Sequence, residues 1–256
     1  MIGRDTAPWL VLCHGMGLDR ANMMPLAQQF ARDWRVLVWD MPGHGASTPQ
    51  RLDRMDRFAE ACESVMAAAG VSDPVLVGFS FGGVLAQYLI ARGPHRYRAL
   101  VAYGCYAPFH QAAVVAPWLI RVATALYRLK RWPRLRSDFA KTCAVTPAGR
   151  VEALRAVSGS SKPVFIAMVR ALLTSFASRP GLRFVQPLLI VRGALDSNTP
   201  ALQRAASALL ASHPHAIERI LPDAGHCAHD DRPEALAQAI GDFLSDVLRA
   251  SPTSAG

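Results

Sequence analysis

Short apolar runs alternate with amphipathic stretches along much of the chain. Six of these runs are predicted strands, the last of them weaker than the others: 9–13, 36–39, 75–78, 99–103, 188–191 and 216–221. Strands that are apolar at nearly every position are typical of a parallel sheet covered on both faces. The pattern therefore predicts an α/β fold, with a mostly parallel sheet and helices on both of its faces.

Helical periodicity fills intervals between these runs. Apolar residues recur at i, i+3 and i+4 spacing in three stretches: 55–66, 84–91 and 233–248. Charged residues occupy the opposite side of the first stretch, as in a surface helix that buries one stripe. In such folds functional residues collect at the carboxyl ends of the strands, so the segments just after each strand are the candidates for a functional site.

One long interval contains no strand-like run. Between about Ala107 and Gln186 the sequence shows four helical stretches: 114–129, 134–143, 147–157 and 163–176. An insertion of about 80 residues is too long for a single crossover. We therefore predict a core formed by residues 1–106 and 187–250, a helical cap over the strand ends formed by 107–186, and a flexible tail at 251–256.

Composition narrows the classes of function. The net charge of +9 comes mainly from arginines scattered through amphipathic segments rather than from a contiguous basic face, so nucleic-acid binding is not expected. Five cysteines without paired spacing predict buried thiols in a reducing compartment. No signal peptide and no uncharged run of membrane-spanning length is recognisable, which favours a cytoplasmic protein without membrane contact. Oligomeric state leaves no mark on the sequence.

The third predicted strand leads into "GFSFGG", which places Ser80 between Gly78 and Gly82. A serine hydroxyl is a weak nucleophile that needs a neighbouring base and an open approach. A sharp strand-to-helix turn exposes the hydroxyl, and glycines tolerate the close backbone contacts that such a turn imposes. Because a strand precedes the motif and a helix follows it, Ser80 is predicted to be a catalytic nucleophile rather than part of an ordinary glycine-rich turn.

Two backbone N–H groups near this serine are predicted to form an oxyanion hole. The first strand is followed by "HGMG", whose glycines leave room for an approaching carbonyl. We assign the donors to the N–H of Met16 in this loop and to that of Phe81, which follows the serine. His14 is predicted to support the loop. After the second strand, "DMPGHGAS" predicts a tight turn that Asp40 and His44 stabilise by hydrogen bonds.

An acid and a base are predicted after the last two strands. Asp196 lies in "RGALDSNTP", where a turn or N-cap role is the alternative, and His226 lies in "PDAGHCAHDDRPE". The alternative histidines are His213, His215 and His229. The chain order Ser80, Asp196, His226, each just past a strand, is the order expected for nucleophile, acid and base in this architecture.

At these residues the sequence resembles the α/β-hydrolase fold family. The motifs "HGMG", "DMPGHGAS", "GFSFGG", "RGALD" and "DAGHCAHDDRPE" occur in the family's order and spacing, and the cap interval falls where that family inserts its lid. The resemblance implies Ser80 as nucleophile, Asp196 as acid and His226 as base. The "PGHGAS" form resembles that of small capped esterases, enol-lactonases and acyl-carrier methyl-ester esterases.

Three features differ from the family's usual pattern. Only a few residues precede Trp9, so the antiparallel strands that open this fold are expected to be reduced or missing. Phe81 stands where methionine or leucine is common, which narrows the acyl side of the pocket. The "CAHDD" that follows His226 is more polar than the usual apolar stretch.

The resemblance implies hydrolysis of a small carboxylic ester with an apolar acyl group through an acyl-enzyme. A thioesterase, a lactonase, a C–C bond hydrolase and a ligand-binding relative without turnover are the alternatives. A dehalogenase or epoxide hydrolase is not expected, because those enzymes need an aspartate nucleophile where Ser80 stands. The residues contain no metal-binding constellation, Walker loop or dinucleotide fingerprint, so no cofactor and no metal are expected.

The cap is expected to set specificity. Its last helix carries an apolar stripe, part of which is predicted to face the cleft: Val164, Phe165, Met168, Val169, Leu172, Leu173 and Phe176. A basic cluster suits the phosphates of an acyl-carrier protein or coenzyme A, with a solvated cap face as the alternative. This cluster comprises Arg121, Arg128, Lys130, Arg131, Arg134 and Arg136.

Overall fold

The computed structural model describes residues 1–48, 53–110, 115–177, 179 and 182–250. Its sheet has six strands in the order β2-β1-β3-β4-β5-β6, and every pair of neighbours is parallel. The strands are β1 Trp9–Cys13, β2 Arg35–Val38, β3 Val75–Phe79, β4 Ala99–Tyr103, β5 Leu188–Gly193 and β6 Ala216–Leu221. The predicted α/β fold is thereby confirmed. The opening antiparallel strands were expected to be reduced or missing. In their place, Ile2 and Val36 form an isolated antiparallel bridge.

Helices cover both faces of the sheet. The core helices are α1 Arg20–Phe30, α2 Met55–Ala68, α3 Phe81–Arg92, α8 Thr199–Ser212, α9 Ala228–Asp231 and α10 Pro233–Ala250. Alternate residues of each strand point to opposite faces. Val11 therefore belongs to the core on the side of α2, α3 and α8, whereas Leu10 and Leu12 belong to the core on the side of α1 and α10. The apolar runs of β1 to β5 were continuous because these strands are buried on both sides, whereas β6, the weaker run, is largely half-buried or exposed.

Among the described residues, four helices separate β4 from β5, as the predicted helical insertion requires. They are α4 Pro117–Leu129, α5 Trp132–Cys143, α6 Pro147–Ser158 and α7 Lys162–Ser175. Helix α5 begins two residues earlier than predicted, because Pro133 is compatible with the first turn of a helix. The exact domain boundaries stay a prediction, and the tail at 251–256 lies outside the described residues.

Helix α3 also begins earlier than its apolar pattern indicates, at Phe81 rather than at 84. Of the helices that the structure describes, none is by itself long and apolar enough to span a membrane. Helices α6 and α7 meet those criteria only as a pair, and the chain bends by 103° between them. The strand order makes β1 and β4 the neighbours of β3, which brings the "HGMG" loop next to Ser80.

Candidate active site

Ser80 occupies the sharp turn between β3 and α3. Its φ of 51° and ψ of −113° lie outside the regions that side-chain-bearing residues normally adopt. A Cβ added at Gly82 would lie 2.1 Å from the carbonyl oxygen of Cys13, and one at Gly78 would lie 2.4 Å from the carbonyl oxygen of Gly82. The glycines on both sides of Ser80 are therefore required by the packing of this turn, as the motif predicted.

Three predicted side chains meet at this turn. His226 Nε2 lies 2.9 Å from Ser80 Oγ, and His226 Nδ1 lies 2.6 Å from Asp196 Oδ2. Since a carboxylate only accepts hydrogen bonds, Nδ1–H donates to Asp196, and Nε2 is left to accept from the serine hydroxyl. Asp196 lies in the loop after β5 and His226 in the loop after β6, so the chain order follows from the strand order. Their catalytic roles stay predictions.

Asp196 is held ionised by the groups around it. Burial alone would raise the pKa of Asp196, but the hydrogen bond from His226 and the donors of Asn198 outweigh it and hold that pKa below its ordinary value. The backbone N–H of Asn198 donates to Oδ1 at 2.8 Å and its side-chain amide donates at 3.2 Å. Asn198 precedes α8, but its side chain donates to the Asp196 carboxylate and makes no capping hydrogen bond to the helix.

The predicted oxyanion donors lie on the loops that flank Ser80. Phe81 is the first residue of α3, where backbone N–H groups lack intrahelical partners. Met16 lines the cavity over Ser80, and a Cβ added at Gly15 would lie 3.4 Å from the Ser80 Cβ. Within the described part of the chain, neither the Met16 nor the Phe81 N–H has a hydrogen-bond partner. Both donors are available to a ligand oxygen.

Residues 10–239 match the family described as "Alpha/beta hydrolase family". The chain belongs to the alpha/beta hydrolase family. Two similar curated proteins are named 2-succinyl-6-hydroxy-2,4-cyclohexadiene-1-carboxylate synthase. The one from Serratia proteamaculans is 27% identical over 94% of this chain and 95% of its own length. The one from Yersinia pseudotuberculosis is 27% identical over 98% and 92%.

Solved structures similar to this alpha/beta hydrolase share its fold at lower identity. A hydrolase from Pseudomonas aeruginosa has a TM-score of 0.82 at 21% identity, covering 94% of this chain and 91% of the other. The enol-lactonase from Burkholderia xenovorans has a TM-score of 0.81 at 20% identity, covering 95% and 94%. A thermophilic esterase from Thermogutta terrifontis has a TM-score of 0.81 at 20% identity, covering 96% and 92%.

A cavity of about 460 Å³ lies between Ser80 and the helical insertion of this alpha/beta hydrolase. Its apolar wall includes four residues of the predicted stripe on α7: Phe165, Val169, Leu172 and Leu173. Val164 and Met168 of the same stripe pack into the core instead. Helices α4 and α5 add Tyr127, Leu135 and Phe139. Lys130 and Asp138, whose charged groups lie 3.7 Å apart, also reach the cavity.

The alternative histidine closest in sequence, His229, faces away from Ser80. Its Nε2 donates to the amide oxygen of Asn22 at 2.7 Å, so its Nδ1 accepts from the Tyr103 hydroxyl at 3.3 Å. Burial, assisted by the nearby His226, lowers the pKa of His229 to about 3. The ring of His229 is therefore neutral, with both nitrogens hydrogen-bonded. It packs against Phe79, which also contacts the ring of His226.

Cys227, His229 and Asp230 place potential ligand atoms within 4.8 Å of one another. Hydrogen bonds to Asn22 already engage the histidine and the aspartate of this group. The set therefore serves the packing behind the active site, and the expectation that the protein needs no metal stays a prediction.

The histidine and aspartate in the first two loops have the structural roles predicted from their motifs. His14 Nε2 accepts from the Met41 N–H at 2.9 Å, and its Nδ1–H donates to the Gly15 carbonyl at 2.8 Å. Burial lowers the pKa of His14 below its ordinary value, which keeps this bridge neutral. The Asp40 carboxylate accepts from the N–H groups of Arg20 and Ala46, at 2.7 and 3.0 Å.

Asp231 joins the His226 loop to the helical insertion. Its buried carboxylate accepts from the N–H of Gly225 at 2.9 Å, just before His226. It also accepts from the N–H of Val145 at 3.1 Å, and from the N–H and hydroxyl of Thr146 at 2.8 Å each. Sequence reasoning missed this residue. The unusual polarity of "CAHDD" was the available signal, since a charge in an otherwise apolar stretch needs partners.

Replacing Asp231 with asparagine is expected to destabilise this alpha/beta hydrolase by about 3 kcal/mol, because an amide group turns one N–H donor toward the donors that the carboxylate now satisfies. The melting temperature should fall by roughly 6–12 °C in a thermal unfolding scan. Asp223→Asn, which changes a mostly exposed carboxylate near the same loop, should shift it by less than about 2 °C. Equal melting temperatures for wild type and Asp231→Asn would contradict this role.

Proposed function

We propose that this alpha/beta hydrolase cleaves a carboxylic ester with an apolar acyl group through an acyl-enzyme on Ser80. The observation that carries the proposal is the hydrogen-bonded chain from Ser80 through His226 to Asp196 at the floor of an apolar cavity. A serine becomes a useful nucleophile only beside such a base. The strained turn that presents the hydroxyl supports the same role.

Acylation follows from the orientation of these groups. His226 Nε2 takes the hydroxyl proton as Ser80 Oγ attacks the ester carbonyl, and Asp196 stabilises the imidazolium that forms. The N–H groups of Met16 and Phe81 donate to the oxyanion, each contributing a few kcal/mol of transition-state stabilisation. Collapse of the tetrahedral intermediate breaks the C–O bond, and His226 returns the proton to the departing alcohol.

Deacylation repeats these steps with water. His226 removes a proton from a water molecule as its oxygen attacks the acyl carbon on Ser80. The same two N–H groups hold the second oxyanion. Proton return from His226 to Ser80 Oγ then releases the carboxylic acid and restores the enzyme.

The charge of the cavity favours an apolar acyl group. Lys130 is the one lysine or arginine among the described residues that line the cavity, and its ammonium lies 3.7 Å from the Asp138 carboxylate. A carboxylate on the substrate would lose its hydration without gaining an uncompensated cation. Aromatic and aliphatic side chains from α5 and α7 supply contact for methylene groups instead.

A second candidate function comes from the curated relatives. They match more than nine-tenths of this chain, and their name describes formation of a cyclohexadiene with a carboxylate and a succinyl group. The cavity gives this candidate less support, because recognition of an acidic molecule usually relies on arginine or lysine pairs. If this second candidate is correct, the purified protein should convert the precursor of the named cyclohexadiene carboxylate into that compound, as detected by mass spectrometry. Its turnover of esters should then be negligible.

The test of ester hydrolysis is a series of p-nitrophenyl esters from acetate to octanoate. We expect kcat/KM to rise about two- to fourfold per methylene up to hexanoate, because each buried methylene contributes on the order of 0.8 kcal/mol. p-Nitrophenyl hemisuccinate is the matched probe of charge, since a carboxylate replaces the terminal methyl of the butyrate. It should react at least about tenfold more slowly than the butyrate.

Each result separates the candidates. A preference for the hemisuccinate over the butyrate would contradict an apolar acyl site and favour the function named for the curated relatives. A profile that is flat from acetate to octanoate would show that the cavity does not bind the acyl chain.

A further inference from the structure

Helix α4 turns its apolar side toward solvent. Five large apolar residues of this helix are exposed, with relative accessibilities from 43% to 81%: Trp118, Leu119, Val122, Leu126 and Leu129. At 100° per residue they fall on one stripe about 100° wide that runs the length of the helix, about 20 Å. Ordinary surface helices bury such a stripe, so this one is available for a partner. We call these five residues the α4 stripe.

The opposite side of α4 packs against the rest of the insertion. Thr124 is buried and helix α7 is the main neighbour of α4. Ala123 and Tyr127 line the cavity over Ser80, together with Lys130 just after the end of the helix. The helix is therefore one wall of the candidate active site, with the α4 stripe on the outside of that wall.

Cations border the α4 stripe. Arg121 and Arg128 lie along one edge of it, and Arg131 follows the helix, whereas Lys130 is already paired with Asp138 at 3.7 Å. Residues 117–131 contain no aspartate or glutamate. Tryptophan and leucine on one side of a helix with arginine and lysine beside them are the composition of helices that lie in the interface of a membrane.

We propose that the α4 stripe docks this protein on an anionic lipid surface, with Trp118 and the leucines entering the acyl boundary and the flanking cations binding lipid phosphates. The sequence by itself favoured no membrane contact, because it shows no spanning segment. Interfacial docking needs none: one apolar stripe and nearby positive charge suffice. The proposal does not depend on ester hydrolysis, although docking would bring a lipid-borne substrate to the wall of the cavity.

Charge decides between a lipid surface and a second copy of this chain. A symmetric contact of α4 with α4 would place Arg121 and Arg128 of each copy near the same cations of the other, which opposes association. Anionic lipids complement those cations along the whole helix. An acidic protein, such as the acyl carrier suggested by the basic cluster, would also complement them and is separated by the experiment.

The experiment is vesicle flotation with phosphatidylcholine alone and with an equimolar phosphatidylcholine–phosphatidylglycerol mixture. Wild type should bind the anionic vesicles at least about tenfold better than the neutral ones, and high salt should reverse most of that gain. The double variant Leu126→Gln, Leu129→Gln should lose at least about tenfold of the binding. Arg121→Gln, Arg128→Gln should lose a similar factor on anionic vesicles only.

A matched control removes equally exposed apolar residues elsewhere. Val151 on α6 is 70% exposed and Val185 before β5 is 72% exposed. Val151→Gln, Val185→Gln should bind vesicles within about twofold of wild type. Thermal scans of all variants check folding. Trp118 gives a second readout, because its fluorescence should shift to the blue on anionic vesicles and the shift should vanish in Trp118→Phe.

Three outcomes would overturn the proposal. Absence of flotation with anionic vesicles at low salt is the first, and unchanged flotation of Leu126→Gln, Leu129→Gln is the second. The third is that the α4 stripe binds a protein instead of lipid, which has two distinguishable forms. A concentration-dependent dimer that the leucine variant abolishes would assign the α4 stripe to a second copy. Binding of purified acyl-carrier protein, with no vesicle binding, would assign it to an acidic protein.

Discussion

Replacing Ser80 with alanine is expected to lower kcat for p-nitrophenyl butyrate by at least about 10⁴-fold, because the variant lacks the oxygen that attacks the ester carbonyl. The N–H groups of Met16 and Phe81 would still polarise a bound carbonyl, so a small residual rate is expected. Initial rates measure the loss. A fluorophosphonate probe followed by mass spectrometry should find one adduct, on Ser80, in wild type and none in the variant.

Two controls keep this result specific. Ser80→Ala retains a Cβ in the same turn, so its melting temperature should stay within about 2 °C of wild type. Ser245→Ala, which removes an exposed hydroxyl on α10, should leave the rate and the adduct unchanged. Turnover or probe labelling that persists in Ser80→Ala would contradict the assignment of Ser80 as the nucleophile. A stable wild type with no turnover and no adduct would favour a ligand-binding relative.

The fold was predictable because five of its strands, β1 to β5, are buried on both sides. Such strands need apolar residues at successive positions, and this is visible without any knowledge of partners. The turn at Ser80 was predictable for a similar reason, since Gly78 and Gly82 are demanded by backbone contacts only a few residues away or on the adjacent strand. Helix α3 was predicted three residues short because Gly82 and Gly83, which closely packed neighbours require in its first turn, are poor helix formers.

The supports of the site depend on contacts between distant parts of the chain, and these left weaker signals. Asp231 accepts from Thr146, 85 positions away in the sequence. Asp19 accepts from both terminal guanidinium nitrogens of Arg155, a residue of the helical insertion 136 positions away. A single charged residue in the sequence does not indicate which backbone groups it will bind. The exposure of the α4 stripe was hidden for the same reason, because periodicity predicts that the apolar side of a helix is buried, and only the packing of the insertion shows that α4 departs from this rule.

Replacing Asp196 with asparagine is expected to lower kcat by about 10⁴-fold with little change in KM. The environment fixes the direction of the new amide. Two donors of Asn198 point at the Oδ1 position, so the amide oxygen must occupy it and the NH₂ group must face His226 Nδ1. Nδ1 then has to accept, which moves the imidazole proton to Nε2. An Nε2–H cannot take the proton of Ser80, and stopped-flow acylation rates would measure the loss.

The companion variant Asn198→Ala removes one of those two donors and leaves the carboxylate in place. Its rate should fall by less than about tenfold, because the backbone N–H of residue 198 still holds Oδ1. A rate for Asp196→Asn within tenfold of wild type, beside an inactive Ser80→Ala, would show that Asp196 serves only the turn before α8. The His226 ring would then be oriented by packing such as its contact with Phe79, and the serine would depend on a dyad.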